Sequence, residues 1–405
     1  MQDRPETETD VVASGSAAEV FRVFLVLGLT SFGGPIAHLG YFRSAVVERR
    51  KWLSEAAYAD LIALCQFLPG PASSQVGMGI GLKRAGYLGM AAAWTAFTLP
   101  SAIALVVFAY GLTALGDTEG AGWIAGLKAA AVAVVAQALL GMAGSLAPDA
   151  RRATIAAAAM IALLILPTTW AQVLVIALGA AIGLVVLPRP EDGAGEGGLD
   201  VKVSRPVALT ALAVFFVLLA GLPLAAAISD SFALTILDTF YRAGSLVFGG
   251  GHVVLPLLEQ SVVGPGLVPD SAFLAGYGAA QAVPGPLFTF AAFLGAVLNG
   301  PVSGIAGAVL ALLAIFLPSA LLVIGTLPFW AALRHRPNAR RALMGVNAAV
   351  IGLLAAALYD PVFTRGITSP MALAIAVAAY VALSQWKAPP WAVVVASGVV
   401  GGVVL

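Results

Sequence analysis

Two Pro-Gly-Pro triplets, Pro69-Gly70-Pro71 and Pro284-Gly285-Pro286, interrupt apolar segments, and a glutamine, Gln66 or Gln281, stands just before each. Proline lacks an amide N–H and clashes with the preceding turn, so a helix must end at each triplet and restart after it. A restarting helix presents free N–H groups and about half a positive charge to whatever lies ahead of it. That is the chemistry of anion binding. Ser73, Ser74 and Thr289 fall in the first turns after the breaks and add hydroxyl donors. Phe32-Gly33-Gly34 and Phe248-Gly249-Gly250 mark a second pair of breaks. Gly33, Gly34, Gly249 and Gly250 precede expected helix starts, where a bare backbone lets a ligand approach. Their alternative use is close helix packing.

Charged and titratable groups are few enough to weigh singly. Lys128 lies eight residues into the apolar stretch 121–147, about 12 Å deep at 1.5 Å per residue. A lysine at that depth costs about 3 kcal/mol, so it reads as a substrate-path or gating cation, with snorkelling as the alternative. Arg242 and Arg22 lie in segments leading to the breaks, and Arg242 is the better candidate for attracting an oxyanion. His38 and His252 follow the two Phe-Gly-Gly motifs at non-equivalent positions and could carry a proton or contact an anion. Hydrogen-bonded structural histidines are the alternative. Glu259 falls on about the same helix face as His252. Three dispersed histidines and the single Cys65 make no metal-ligand set and exclude an internal disulfide. No phosphate-binding Gly-x-x-x-x-Gly-Lys-Ser/Thr motif is present, so no cofactor or ATP site is expected.

The elements that position these groups follow from composition. Of 405 residues, 60% are hydrophobic and only 10% charged, against about 25% charged in an ordinary soluble domain. Mean hydropathy is +0.97. A soluble enzyme is excluded, and so is a nucleic-acid binder, since the net charge is +1 and the longest basic run is Arg49-Arg50-Lys51. The composition is that of an all-α polytopic membrane protein, with the lipid bilayer as its solvent. The acidic first ten residues argue against a cleavable signal peptide. The expected location is the inner (plasma) membrane, multi-pass.

The chain repeats itself. Phe32-Gly33-Gly34 recurs at 248–250, Gln66 with its Pro-Gly-Pro at 281–286, Leu99-Pro100-Ser101 at 317–319, and Gly126-Leu127-Lys128-Ala129-Ala130 more loosely at 345–349. The separations are 216, 215, 218 and 219 residues, too regular and too ordered for coincidence. Residues 1–187 form one transporter-like repeat, 188–205 a polar Gly-rich linker on the cytoplasmic side, and 206–405 the second repeat. Segments 55–68, 72–82, 271–283 and 287–298 are each about half the 20 residues that a span needs. They read as re-entrant hairpins of two half-helices. Residues 85–115, 121–147, 169–187, 206–228, 303–330 and 342–358 are long enough, or nearly so, to cross; 153–166, 370–386 and 389–405 are shorter spans.

Charge supports an inverted arrangement. Arg49, Arg50, Lys51, Lys83 and Arg84 flank the first hairpin, whereas no Lys or Arg occurs between Arg242 and Arg334. Basic loops face the cytoplasm, so the first hairpin enters from inside and the second from outside. The expected fold class is two inverted-topology repeats with broken helices and re-entrant hairpins, a build used by secondary transporters.

The segments LGLTSFGGPIAHL and QFLPGPASSQVGMGIGLKRAGYLG, with VFGGGHVVLPLLEQ and QAVPGPLFTFAAFLG in the second copy, resemble the chromate ion transporter family, in its long-chain, two-domain form. The resemblance runs from Phe21 to Asp360. It implies efflux of chromate, with sulfate as structural analogue, and chromate resistance; the residues alone gave an inverted-repeat anion transporter. The first copy reads Phe-Gly-Gly-Pro and the second Phe-Gly-Gly-Gly, so the two sites are not equivalent. The expected oxyanion site lies between the two Pro-Gly-Pro tips at the midplane. Its expected members are Gly33, Gly34, Gln66, Gly70, Ser73, Ser74, Lys128, Arg242, Gly249, Gly250, His252, Gln281, Gly285 and Thr289. A membrane-embedded enzyme would need a cofactor motif or paired acids, and Asp60 and Glu259 fall in different copies. An anion channel stays open as a competing function, a proton is the candidate coupling ion, and a homodimer the candidate assembly.

Overall fold

The computed structural model describes residues 15–115, 121–166, 168–189, 199, 201, 203–248, 251–333 and 336–405. Among them the regular structure is helical and no strand occurs. The first half contains α1 (Ala17–Thr30), α2 (Gly34–Phe42), α3 (Glu55–Phe67), α4 (Ala72–Ala114), α5 (Gly122–Leu146), α6 (Ala150–Ile165) and α7 (Thr169–Val186). The second contains α8 (Arg205–Ile228), α9 (Phe232–Leu246), α10 (Val254–Val262), α11 (Asp270–Ala282), α12 (Phe290–Val297), α13 (Gly304–Thr326), α14 (Trp330–Leu333), α15 (Pro337–Ala357), α16 (Thr364–Gly366), α17 (Pro370–Ser384) and α18 (Pro390–Val404). Most of the expected linker, 190–198 with 200 and 202, lies outside the described residues, as do Gly249, Gly250 and Arg334.

Five of these segments, Ala72–Ala114, Gly122–Leu146, Arg205–Ile228, Gly304–Leu333 and Pro337–Gly366, are long and apolar enough to cross a membrane. Their outer faces carry large apolar side chains in the open: Val217 is 68% exposed, Ile228 88% and Val107 65%. Water would not tolerate so continuous a greasy surface; hydrocarbon does. The chain is a multi-pass α-helical membrane protein.

Helix ends follow local rules. Ser54 accepts from the Ala57 N–H, Asp149 from Arg152, Ser231 from Leu234 and Ser369 from Ala372, each capping a first turn. Glycines let helices touch at backbone distance, where hydrocarbon solvent offers no hydrophobic drive and van der Waals packing must hold the bundle. Gly28 of α1 packs on the Ala96 and Phe97 backbone of α4, and its equivalent Gly244 of α9 packs on the Ile315 backbone of α13.

Both Pro-Gly-Pro segments break the chain as expected. α3 stops at Phe67 and α4 starts at Ala72; α11 stops at Ala282, and a 3-10 turn, Leu287–Thr289, leads into α12. α4 is itself two pieces, since Ala85 and Gly86 leave helical geometry (φ −144° and +63°). Gly81 and Gly89 then meet backbone to backbone, which eight residues of straight helix, about 12 Å long, could not do. The first half-helix is therefore 72–84, two residues longer than expected. Each hairpin closes at its base: the Arg84 guanidinium lies 5.1 Å from the Trp52 ring, and the equivalent pair in copy two is joined by Asn299 N–H donating to Leu267 O at 2.8 Å.

Candidate anion site at the junction of four helix breaks

The tip of each hairpin is bonded to the other repeat. Gly70 N–H donates to the Val247 carbonyl at 2.7 Å, and Gly285 N–H to the Ser31 carbonyl at 2.9 Å. Val247 and Ser31 are equivalent residues, each just ahead of a Phe-Gly-Gly motif. The same exchange recurs one layer out. A methyl group at Gly70 would collide with Ser319 Oγ, whereas one at Gly285 would lie 2.9 Å from Ser101 Oγ and 3.2 Å from Phe97 O. Ser101 and Ser319 are the equivalent serines of the Leu-Pro-Ser motifs. Both glycines hold left-handed φ, 116° and 100°, which side-chain-bearing residues rarely adopt. Three repeated motifs therefore interlock crosswise, each tip seated against the other copy.

The Phe-Gly-Gly breaks complete the junction. Gly33 (φ 100°) caps α2 and Gly34 (φ 79°) begins it. Pro35 and Leu287 both lie within 4 Å of the Cβ position of Gly251, where the short helical turn leading into α10 starts. The starts of α2, of the turns leading to α10 and α12, and of α4 thus surround one place. Four helical starts lie together there, twice the number counted from the Pro-Gly-Pro breaks alone. Each favours an anion by about 0.3–1 kcal/mol when exposed and up to about 2 when partly buried. The Gly70 and Gly285 N–H groups are engaged with protein carbonyls, so the donors left for a ligand belong to the turns that follow.

The side chains there are polar and under-satisfied. His38, 1% exposed, sits edge-on to Phe97 with Nδ1 3.3 Å from Ser73 Oγ. Gln75, fully buried, donates from Nε2 to Pro69 O at 2.7 Å and braces the first tip. Ser31 Oγ, Ser74 Oγ, Gln75 Oε1, Thr98 Oγ1, Gln281 Nε2 and Ser319 Oγ are buried without a hydrogen-bond partner among the described residues. Buried polar groups are ordinarily paired; these are not, within the described residues. Gln75, Thr98 and Ser319 were missed from sequence, as was Ser101, whose hydroxyl donates to Thr98 O at 3.1 Å and secures its own turn. The repeated Leu-Pro-Ser motif was the available signal for the two serines; Gln75 has no counterpart, because its equivalent is Phe290.

Other expected members fall differently. Gln66, in the last turn of α3, is exposed, and Gln281 half-buried. Thr289 is buried, but its hydroxyl donates back to Pro286 O at 2.7 Å, so it secures the turn. Arg242 is ion-paired with Asp238 one turn earlier in α9, which cancels much of its pull on an anion. His252 Nδ1 lies 2.7 Å from the hydroxyl of buried Tyr277. Lys128 is half-buried on α5, beside Leu127, whose carbonyl faces Gly278 of α11. Among the described residues no group of three or more His, Cys, Asp or Glu is placed to hold a metal. A groove of about 460 Å³ between α4 and α13, lined by Met78, Tyr87, Trp94 and Phe316, is mostly apolar.

Broken helices that meet inside a multi-pass bundle, ringed by hydroxyls and helix N-termini, define a membrane transporter for a small polar solute. The chain belongs to the Chromate transporter family, which matches residues 18–184 and 234–402, and it is not an enzyme. It is 27% identical to a chromate transport protein of Pseudomonas aeruginosa over 88% of this chain and 85% of the relative. It is 30% identical to a probable chromate transport protein of Synechococcus elongatus, covering 85% and 84%. A chromate transport protein of Cupriavidus metallidurans is 25% identical, covering 86% and 85%. No solved structure matches the chain. The family supports a role in chromate transport.

Proposed function

We propose that the protein exports chromate from the cytoplasm across the inner (plasma) membrane by secondary-active transport and so confers chromate resistance, with sulfate as an alternative substrate. The observation that carries this reading is the crosswise bonding of the two tips, Gly70 to Val247 and Gly285 to Ser31, which gathers four helix N-termini at one junction. An oxyanion bound there exchanges its water for backbone N–H groups and serine hydroxyls. Two tip N-termini of about +0.5 each offset much of a dianion's charge, and Lys128 or Arg242 supplies more as the path opens. The repeats 1–187 and 206–405 are inverted relative to each other, joined by the cytoplasmic linker 188–205. Alternating access is then a rocking of one repeat against the other about the junction.

Uptake of labelled chromate into inverted vesicles, under imposed pH and potential gradients, tests this. Saturable uptake that follows one gradient and is competed by sulfate is expected, and dependence on the pH gradient would identify the proton as coupling ion. Uptake that never saturates would indicate a channel, and none in inverted vesicles with uptake in right-side-out ones would reverse the direction.

A further inference from the structure

The two tips share a backbone design and differ in side chains. At the second tip the two hydroxyls equivalent to Ser74 and Ser319 have internal acceptors, while Ser31 Oγ and Thr98 Oγ1 stay unpartnered among the described residues. Thr289 Oγ1 donates to Pro286 O at 2.7 Å, and Ser101 Oγ, the hydroxyl facing Gly285, donates to Thr98 O at 3.1 Å. Phe290 fills the place of Gln75, and Phe273, Tyr277 and Phe293 pack around it in an aromatic cluster. At the first tip the corresponding groups are left open. Ser319 Oγ faces Gly70, Ser74 Oγ lies in the first turn of α4, and neither has a partner among the described residues. They are 0% and 2% exposed. A buried hydroxyl without a partner has lost its water and gained nothing in exchange. Two of them flanking the start of the half-helix 72–84, with Gln75 bracing the turn, make a site that a ligand completes.

We propose that the protein has one oxyanion site and not two equivalent ones, at the first Pro-Gly-Pro tip. It is built across the repeats: the first-turn N–H groups of α4 and Ser74 come from the first copy, and Ser319 from the second. The ligand is a dehydrated tetrahedral oxyanion, whose four oxygens accept from these donors. The second tip leads into a three-residue 3-10 turn whose own hydroxyl, Thr289, is tied to Pro286 O, and it serves as the seat for the first. Because Ser319 and Ser74 come from different repeats, separating the repeats would dismantle the site. The proposal rests on the oxyanion reading given above.

Equilibrium binding of radiolabelled sulfate and of chromate to the purified full-length protein in lipid nanodiscs provides the test. One anion per chain is expected. Ser319→Ala and Ser74→Ala should each weaken binding roughly tenfold, as for loss of one hydrogen bond to a charged group, while Ser101→Ala and Thr289→Ala change it by less than about twofold. Removing a hydroxyl that has no partner should leave the melting temperature of unliganded Ser319→Ala unchanged or raised. A melting temperature that falls along with affinity would assign Ser319 a structural role and overturn the proposal. Two anions per chain, an unaffected Ser319→Ala, or an equal loss in Ser101→Ala would overturn it as well. Wild-type protein that binds neither anion would remove the oxyanion reading itself, whereas normal wild-type binding with a silent Ser319→Ala removes only this site.

Discussion

Gly70 and Gly285 hold φ values of 116° and 100° while donating to carbonyls of the opposite repeat. A residue with a Cβ at such angles carries about 1–3 kcal/mol of backbone strain. At Gly70 it also collides with Ser319 Oγ and lies 2.8 Å from Gln75 Nε2. Gly70→Val and Gly285→Val should therefore abolish chromate flux in vesicles normalised for protein content, with Gly70→Ala already impaired. Normal export by both valine variants would move the site elsewhere. Lys128 is a separate matter, since its cost in the membrane is about 3 kcal/mol. If it serves the substrate path, Lys128→Met loses transport while inserting and folding normally; a variant that transports normally and melts higher identifies a snorkelling lysine. Arg242 illustrates how a partner alters a charge's role. Its pairing with Asp238 predicts that Asp238→Asn, by releasing the guanidinium, shifts the apparent KM for chromate downward, whereas loss of fold would show as reduced yield and melting temperature.

Elements matter here because of where they stop. The half-helices α3, α10, α11 and α12 run to 13, 9, 13 and 8 residues, at or below the roughly 12–15 that isolated helices need, so they persist by packing, with a Ser54 cap on α3. Away from the junction the same logic is easier to measure. Asp149 caps α6 through the Arg152 N–H at 3.0 Å and pairs with the Arg152 guanidinium at 2.6 Å. The backbone bond, followed by the side-chain bond, holds its carboxyl below the usual carboxylate range. That stabilisation is complete above the ordinary value of about 4 and is lost as pH falls through the lowered native value. Asp149→Ala should cost about 1 kcal/mol, read as a lower melting temperature at neutral pH. The gap to wild type should narrow as the pH falls through that lowered value, and a gap that widens with acid would refute the cap.

At the scale of the molecule the two hairpins close at their bases, at Trp52 with Arg84 and at Leu267 with Asn299, and both tips reach one junction. If the repeats are inverted, these bases face opposite sides of the membrane. Cys65 is fully buried, so a Cys65→Ala background is quiet toward thiol reagents. In it, Lys51→Cys should be labelled by an impermeant reagent only from the cytoplasmic side, and Asn299→Cys only from outside. Labelling of both from the same side would contradict the inversion. At the basic end, Arg151 and Arg341 donate to the carbonyls of Val186 and Leu187 at 2.9 and 2.8 Å. Arginines from opposite halves of the chain thus hold the C-terminal end of α7, where they complement its dipole.

The sequence by itself determined the membrane environment, because 60% hydrophobic and 10% charged residues leave no other solvent for the chain. It also determined where helices break, since proline's missing N–H and glycine's permitted φ act within a turn of themselves. Residue spacing pointed to a repeat, and the motifs named the family. These are local or periodic properties, legible along a chain. Tertiary structure alone decided which motif meets which. Gly70 finds Val247 and Ser319, and Gly285 finds Ser31 and Ser101, pairings between residues more than a hundred positions apart that no spacing rule contains. It also decided which polar groups remain available. Thr289 and Ser74 are equivalent in sequence and alike as first-turn hydroxyls, yet one hydroxyl is tied to Pro286 and the other has no partner among the described residues. Whether a hydroxyl is spent depends on the acceptor that folding places beside it, and that acceptor is a property of the packed molecule.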